Sequence, residues 1–320
     1  MAKLKLKNIK KITNKTIEEL YIDYLEYCIS IGQRKMTIES KERFGKYVLN
    51  KVIDLDSNIT ELTKDKIEKY ISYMRKEGYK GNTYQTFVIK IRAFLTYCFN
   101  NNYLKKFDVK IPNILLEKKE VYTEEEVLKL LKKPNINNCL VGDFRSWAIV
   151  SFLLGTGCRA ETLLNVHVID VDFITGSILF RHMKTKRQIT VPLSNTLKVT
   201  LREYIQRIGL KKEEYLFSKL NGEKMSYDTC HQNLENYFKH RKVKFHGINT
   251  FRNTFSTMFI KNGGDIYRLK TILGHSNIKT TERYINLLPL DVKNDIQMYN
   301  PLDVLSKKSI RMSIQRGAKR

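Results

Sequence analysis

The stretch L-L-G-T-G-C-R-A-E-T-L-L-N-V, residues 153–166, decides how the chain is read. It closes a long apolar segment, about 143–155, whose periodicity predicts a helix. Gly155 and Gly157 break that helix, and a short second helix carrying Leu163 and Leu164 follows the turn. Immediately downstream the apolar period drops from about 3.6 to two. Val168 to Phe173, Ser177 to Arg181 and Ile189 to Val191 read as three short strands, with turns at Thr175-Gly176 and around Lys184–Lys186. Helical spacing then resumes at about 194–208, 226–241, 250–262, 265–273 and 278–287. Upstream, Thr123 with Glu126 forms a capping box that opens a helix to about Lys133. Residues 119–300 therefore read as an α+β domain holding a small antiparallel sheet.

Working towards the N-terminus, residues 103–118 lose periodicity and contain Pro112, which marks an extended interdomain linker. Residues 12–102 read as a four-helix bundle. Thr16 and Glu19 cap a first helix carrying Ile17, Leu20, Tyr21, Tyr24, Leu25 and Cys28 at helical spacing, closed by Gly32. A second covers about 36–52. A third starts near Thr63, with Ile67, Tyr70, Ile71 and Met74 inward. A fourth, about Thr83 to Asn100, carries Phe87, Ile91, Phe94, Leu95 and Cys98. The fold class is thus mainly α with one small sheet, and a basic tail, 301–320, completes the chain.

The 320 residues hold 58 Lys+Arg against 33 Asp+Glu, a formal net charge of +25. With 42% hydrophobic and 28% charged residues, the chain is neither disordered nor fibrous. No apolar run approaches a membrane span, and no apolar segment follows the basic start, so neither a membrane anchor nor a signal peptide is expected. Five scattered cysteines without a C-x-x-C pair argue against a disulfide framework or structural zinc and fit a reducing compartment. No metal or cofactor is called for. The positive excess is the footprint of a polyanion binder. It is spread over both parts, with 24 Lys+Arg against 14 acids in residues 1–118, and 34 against 19 in residues 119–320. If the polyanion is DNA, both parts touch it.

Three further phrases stand out beside Arg159 in the opening stretch. R-H-M-K-T-K-R-Q-I-T-V-P-L (181–193) puts Lys184 in a strand-to-strand turn. N-T-F-R-N-T-F-S-T (249–257) puts Arg252 early in a helix. L-G-H-S-N-I-K-T-T-E-R-Y (273–284) puts His275 nine residues before Tyr284. Singly each residue has an ordinary reading: a surface charge, a solvated turn, a helix C-cap, a half-buried tyrosine. In this order and spacing the set resembles the tyrosine recombinase family, which includes phage integrases and Xer-type recombinases. The resemblance covers nearly the whole chain. The N-terminal bundle looks like the family's core-binding domain, and 119 to about 290 looks like its catalytic domain.

The chemistry explains the residue types. Breaking a DNA backbone without a metal needs a nucleophile, neutralisation of phosphorane charge, proton removal from the nucleophile and proton delivery to the leaving oxygen. A tyrosine hydroxyl, with a reference pKa of about 10, needs activation to serve as the nucleophile. Arginine forks match non-bridging phosphate oxygens and stay charged. A lysine can protonate the departing 5′ oxygen. The resemblance implies Tyr284 as nucleophile, Arg159 and Arg252 as phosphate clamp, Lys184 as general acid, and His275 as hydrogen-bond donor or base. Lys186 is the alternative acid.

Two departures from the family's pattern bear on the mechanism. Its usual His three residues before the second arginine is Asn249 here, and an amide is no base at neutral pH. Proton removal then falls to His275, to His246 or to water. The usual acid three residues after the first arginine is Thr162, with Glu161 one place earlier. Either Glu161 substitutes from a shifted register or the brace is missing.

The resemblance implies a site-specific recombinase, cytoplasmic and nucleoid-associated, whose partners are double-stranded DNA carrying recombination sites and three further copies of itself. Four protomers would exchange strands on two duplexes through a Holliday junction. The segment after about 290 would dock into a neighbouring protomer, and no further arm-binding domain is expected before the bundle. Two competing readings are an inert DNA-binding protein of recombinase descent and a type IB-like topoisomerase.

Overall fold

The computed structural model describes residues 15–113, 119–181, 188–219 and 221–285. Lys184, Lys186 and the basic tail lie outside those ranges. The chain divides into two compact units, Met1–Glu117 and Lys118–Arg320.

The first unit holds α1 (Ile17–Ser30), α2 (Lys35–Tyr47), α3 (Lys64–Lys76) and α4 (Gly81–Asn100). At the start of α1, Thr16 Oγ1 accepts from the Glu19 N–H and the Glu19 carboxylate accepts from the Thr16 N–H at 2.9 Å. That reciprocal pair satisfies two helix-end donors. The core joins Ile17, Leu20, Tyr21 and Tyr24 of α1 to Phe87, Val88, Ile91, Phe94 and Leu95 of α4. The Tyr21 and Phe94 rings meet edge-on at 4.9 Å. Helix α2 ends at Tyr47, earlier than its spacing predicts, and a 3-10 turn follows at Leu49–Lys51. The tighter turn lets Leu49 and Ile53 both enter the core.

The second unit is built around α6 (Val141–Thr156), which is buried on nearly every side from Phe144 to Leu153. A helix apolar all round must be enclosed. Here α5 (Glu124–Leu131), α8 (Asn195–Ile208), α9 (Tyr227–His240) and α10 (Ile248–Lys261) enclose it. After the short α7 (Ala160–Leu163) come β1 (Val171–Asp172), β2 (Ser177–Phe180) and β3 (Ile189–Pro192). They form one antiparallel sheet in the order β1-β2-β3, with Ile178 opposite both Val171 and Val191. Among the described residues, α11 (Ile266–Leu273) and α12 (Lys279–Ile285) follow.

The first strand is shorter than its alternation predicts. Val168–Asp170 is a 3-10 turn, and only Val171–Asp172 pair. Asp170 is the cause. Its carboxylate is buried, accepts from the His167 N–H at 3.0 Å and pairs with Arg181. A buried carboxylate needs such partners, and the turn supplies them. Arg181 is thereby anchored at the end of β2.

Candidate active site

Helix α6 stops because Gly157 adopts a left-handed φ of 60° and donates to the Leu153 carbonyl at 2.9 Å. A Cβ at Gly157 would lie 2.3 Å from the Phe255 ring of α10, so only glycine fits this turn. The chain then runs extended through Arg159, the N-cap of α7. The Arg159 side chain is half-buried. Its Nη1 is enclosed and has no hydrogen-bond partner among the described residues.

Arg252, on the second turn of α10, ties three segments together. Its Nη1 donates to the Gly157 carbonyl and its Nη2 to the Leu273 carbonyl, both at 2.9 Å, and Nη2 lies 2.6 Å from His275 Nε2. Burial pushes its pKa down from 12.5 to about 10, and the like charge of Arg159 adds to the fall. The nearby Tyr284 hydroxyl opposes the fall. The group stays cationic at neutral pH.

His275 follows Gly274, whose φ of 64° ends α11. Its backbone N–H caps the helix by donating to the Lys270 carbonyl at 3.0 Å. Its ring is buried between Arg252 and Thr281, with Nδ1 2.8 Å from Thr281 Oγ1. An arginine can only donate, so Nε2 accepts from Arg252. The ring proton then sits on Nδ1 and is donated to Thr281. Burial, followed by the charges of Arg252, Arg159 and Lys119, pushes the imidazole pKa down to about 3, which keeps the ring neutral.

Tyr284 lies on α12 and is only 3% exposed. It packs with Leu269 and Leu273, against Phe255, Phe259 and Ile260. Lys119 Nζ sits over its ring, 4.7 Å from the centroid. Arg159 at the head of α7, Arg252 on α10, and His275 and Tyr284 from the 273–284 stretch thus come together.

Other residues singled out by sequence sit elsewhere. Asn249 is exposed on the first turn of α10. His246 is engaged by Glu120, and its ring lies 5.8 Å from the Tyr122 ring. Glu161 is exposed, whereas Thr162 is buried at the place where the family's acid would stand. The sequence reading missed Lys119 and Thr281. Thr281 lay inside the quoted 273–284 phrase, six residues after His275, but Lys119 carries no local signal. Among the described residues no group of three His, Cys, Asp or Glu could hold a metal ion. No described helix is long and apolar enough to cross a membrane.

The model of the phage integrase family matches residues 120–290, more than half of the chain. The chain belongs to that family. This integrase-family chain is 27% identical over 304 residues to the tyrosine recombinase XerD of Staphylococcus saprophyticus, an alignment covering 89% of this chain and 97% of that protein. Against XerD of Staphylococcus aureus strain Mu50 it is 25% identical over 303 residues, covering 89% and 99%. Among solved structures, the fold matches the Tn1549 transposon integrase in complex with transposon right end DNA, with a TM-score of 0.71 and 20% identity over 84% of this chain and 94% of that one. It also matches a lambda integrase tetramer bound to a Holliday junction, with a TM-score of 0.69 and 15% identity over 84% and 77%.

Proposed function

We propose that this integrase-family protein is a site-specific DNA recombinase that cuts and rejoins strands through a 3′-phosphotyrosine intermediate. One observation carries the reading: Arg159, Arg252, His275 and Tyr284 converge, and a buried Arg159 N–H is left without a partner among the described residues. An enclosed, unpaired guanidinium donor is costly, and a phosphate oxygen is the acceptor that best fits its charge and fork.

The Tyr284 hydroxyl oxygen attacks the scissile phosphorus. The bond to the 5′ oxygen breaks, and the phosphorus is left bonded to the tyrosine oxygen and, as before, to the 3′ oxygen. Arg159 and Arg252 balance the charge that builds on the non-bridging oxygens. The leaving 5′ oxygen takes a proton from Lys184, and the tyrosine proton passes to a neutral base. That base is water: the one lone pair of His275 already accepts from Arg252, and its pKa of about 3 leaves it too weak to take the proton. The phosphodiester energy is kept in the new bond, so a second 5′ hydroxyl reverses the step without ATP. Loss of either arginine should slow cleavage by ~10²–10⁵.

The charge pattern supports a DNA-sized footprint. In the first unit Lys41 and Arg43 of α2 and Lys90 of α4 lie close enough that the first two lower the pKa of Lys90, after burial. None of the three pairs with a carboxylate among the described residues. The Lys41 ammonium is taken by Tyr24 and Cys28 and that of Lys90 by Ser40, which leaves exposed Arg43 as the member that meets a phosphate. The match to a lambda integrase tetramer bound to a Holliday junction supports four copies working on two duplexes, and acting on DNA would place the protein with the nucleoid in the cytoplasm.

The decisive experiment uses a nicked suicide duplex of the DNA flanking the gene. Wild-type protein should form a covalent adduct that survives denaturation, and Tyr284→Phe should form none while still binding. Binding without any adduct would favour an inert binder. Supercoil relaxation without sequence dependence would favour a type IB topoisomerase.

A further inference from the structure

The segment entering the second unit is strapped across α10. Glu120 pairs with His246, and its carbonyl accepts from Asn253 Nδ2 at 3.4 Å. The Tyr122 N–H donates to Thr254 Oγ1 at 2.9 Å, and the Tyr122 hydroxyl accepts from the His246 N–H at 3.1 Å. Glu124 closes the strap on Lys261 at 2.6 Å. These contacts hold residues 120–124 on the helix that carries Arg252. They also fix where residue 119 must lie, and its side chain crosses to α12, with Nζ 4.7 Å from the centroid of the Tyr284 ring.

We propose that Lys119 is a positioning residue for Tyr284: its ammonium, delivered by the strap, grips the ring face and fixes the ring against Leu269 and Leu273. This rests on Tyr284 being the nucleophile. The two sides of the ring differ in chemistry. The α10–α11 side is apolar and offers packing but no direction. A cation over the ring face adds an attraction that depends on orientation. The same charge reaches His275, so Lys119 belongs electrostatically to the cluster although it sits 165 residues before the tyrosine. It also places the nucleophile's ring in contact with the residue at which the linker enters the unit.

The test compares wild type, Lys119→Met and Lys119→Arg on the same suicide duplex. Methionine keeps the unbranched stem and removes the charge, whereas arginine keeps the charge and stacks well on aromatic rings. At saturating protein, Lys119→Met should form adduct about tenfold more slowly, with an unchanged Kd, melting temperature and salt slope of binding. Lys119→Arg should recover most of the rate. A wild-type rate in Lys119→Met would overturn the proposal. So would a weaker Kd with a salt slope reduced by about one, which would make Lys119 a phosphate contact instead. If Lys119→Met lowers the melting temperature and arginine restores stability but not rate, the contact is merely structural and the proposal also fails. If wild type itself forms no adduct, the recombinase reading fails first, and the two failures are thereby distinguished.

Discussion

Thr281→Val tests the state assigned to His275. Valine matches threonine in shape but cannot accept the Nδ1 proton, which the wild type places 2.8 Å from Thr281 Oγ1. Thr281 is fully buried and His275 nearly so, so no solvent stands ready to replace the hydroxyl. Leaving that N–H unsatisfied costs about 1–3 kcal/mol. Part of the cost falls on global stability. The rest falls on the arrangement in which Nε2 holds Arg252, because the tautomer with the proton on Nε2 would point two donors at each other. If the full cost is borne by the competent arrangement, adduct formation should slow by about 5- to 150-fold. The assay is single-turnover trapping on a nicked duplex, read on a denaturing gel, with thermal melting measured alongside. Nitrogen NMR of histidine-labelled protein supplies the direct check: His275 should be neutral at pH 7 with its proton on Nδ1, and the valine variant should show a mixture. Unchanged rate, melting temperature and tautomer would refute the reasoning. A doubly protonated ring in the wild type would refute it equally, since Nε2 could not then accept from Arg252.

Four other expectations follow from the same geometry. Arg252→Lys keeps a cation but cannot reach the Gly157 and Leu273 carbonyls together, so adduct formation should fall by ~10²–10³, with DNA binding measured by gel shift nearly intact. The folded state resists protonating His275 until about pH 3, whereas the unfolded chain takes that proton near 6.5. Folding stability should therefore drop as pH falls from about 6.5 towards 3, and His275→Gln should flatten that drop in urea melts at pH 7 and pH 5. An equal gap between variant and wild type at both pH values would count against the depressed pKa. Gly157→Ala meets both the left-handed φ and the Phe255 ring, so it should cost at least the ~1–2 kcal/mol of the backbone strain alone, seen as a lowered melting temperature together with lost adduct. Arg43→Ala should weaken binding alike on all sequences and reduce the salt slope by about 0.9.

What the sequence made legible is what is local. Both capping boxes, the helix-ending Gly157 and Gly274 and the inward faces of α1 and α4 each depend on residues within one or two turns, and each stands as the spacing predicts. The segment Val168–Phe173 shows where locality fails. Its alternation is that of a strand, but the burial demand of the Asp170 carboxylate, met by Arg181 eleven residues on, overrides the pattern. Glu161 and Thr162 make the same point at the site. The charged residue faces solvent and the hydroxyl is buried, because the register of α7 is set by Leu163 packing inward and not by the chemistry wanted at residue 162.

The deeper limit concerns what holds the candidate site. Arg252, His275 and Tyr284 could be singled out because their types and spacing form recognisable phrases. Their immediate supports could not. Two of the three bonds that orient Arg252 end on backbone carbonyls, of Gly157 and Leu273, which any residue would offer. Sequence encodes these acceptors only indirectly, through the glycines that end α6 and α11 and so turn each carbonyl towards α10. The same turn at Gly157 that sets Arg159 at the head of α7 also presents the acceptor for Arg252. The two guanidinium groups are thereby located relative to each other by a single left-handed residue. A change there moves one arginine and unties the other, so losses at Gly157 and Arg252 should be far from additive: the double variant Gly157→Ala/Arg252→Lys should cleave little more slowly than the worse of the two single variants.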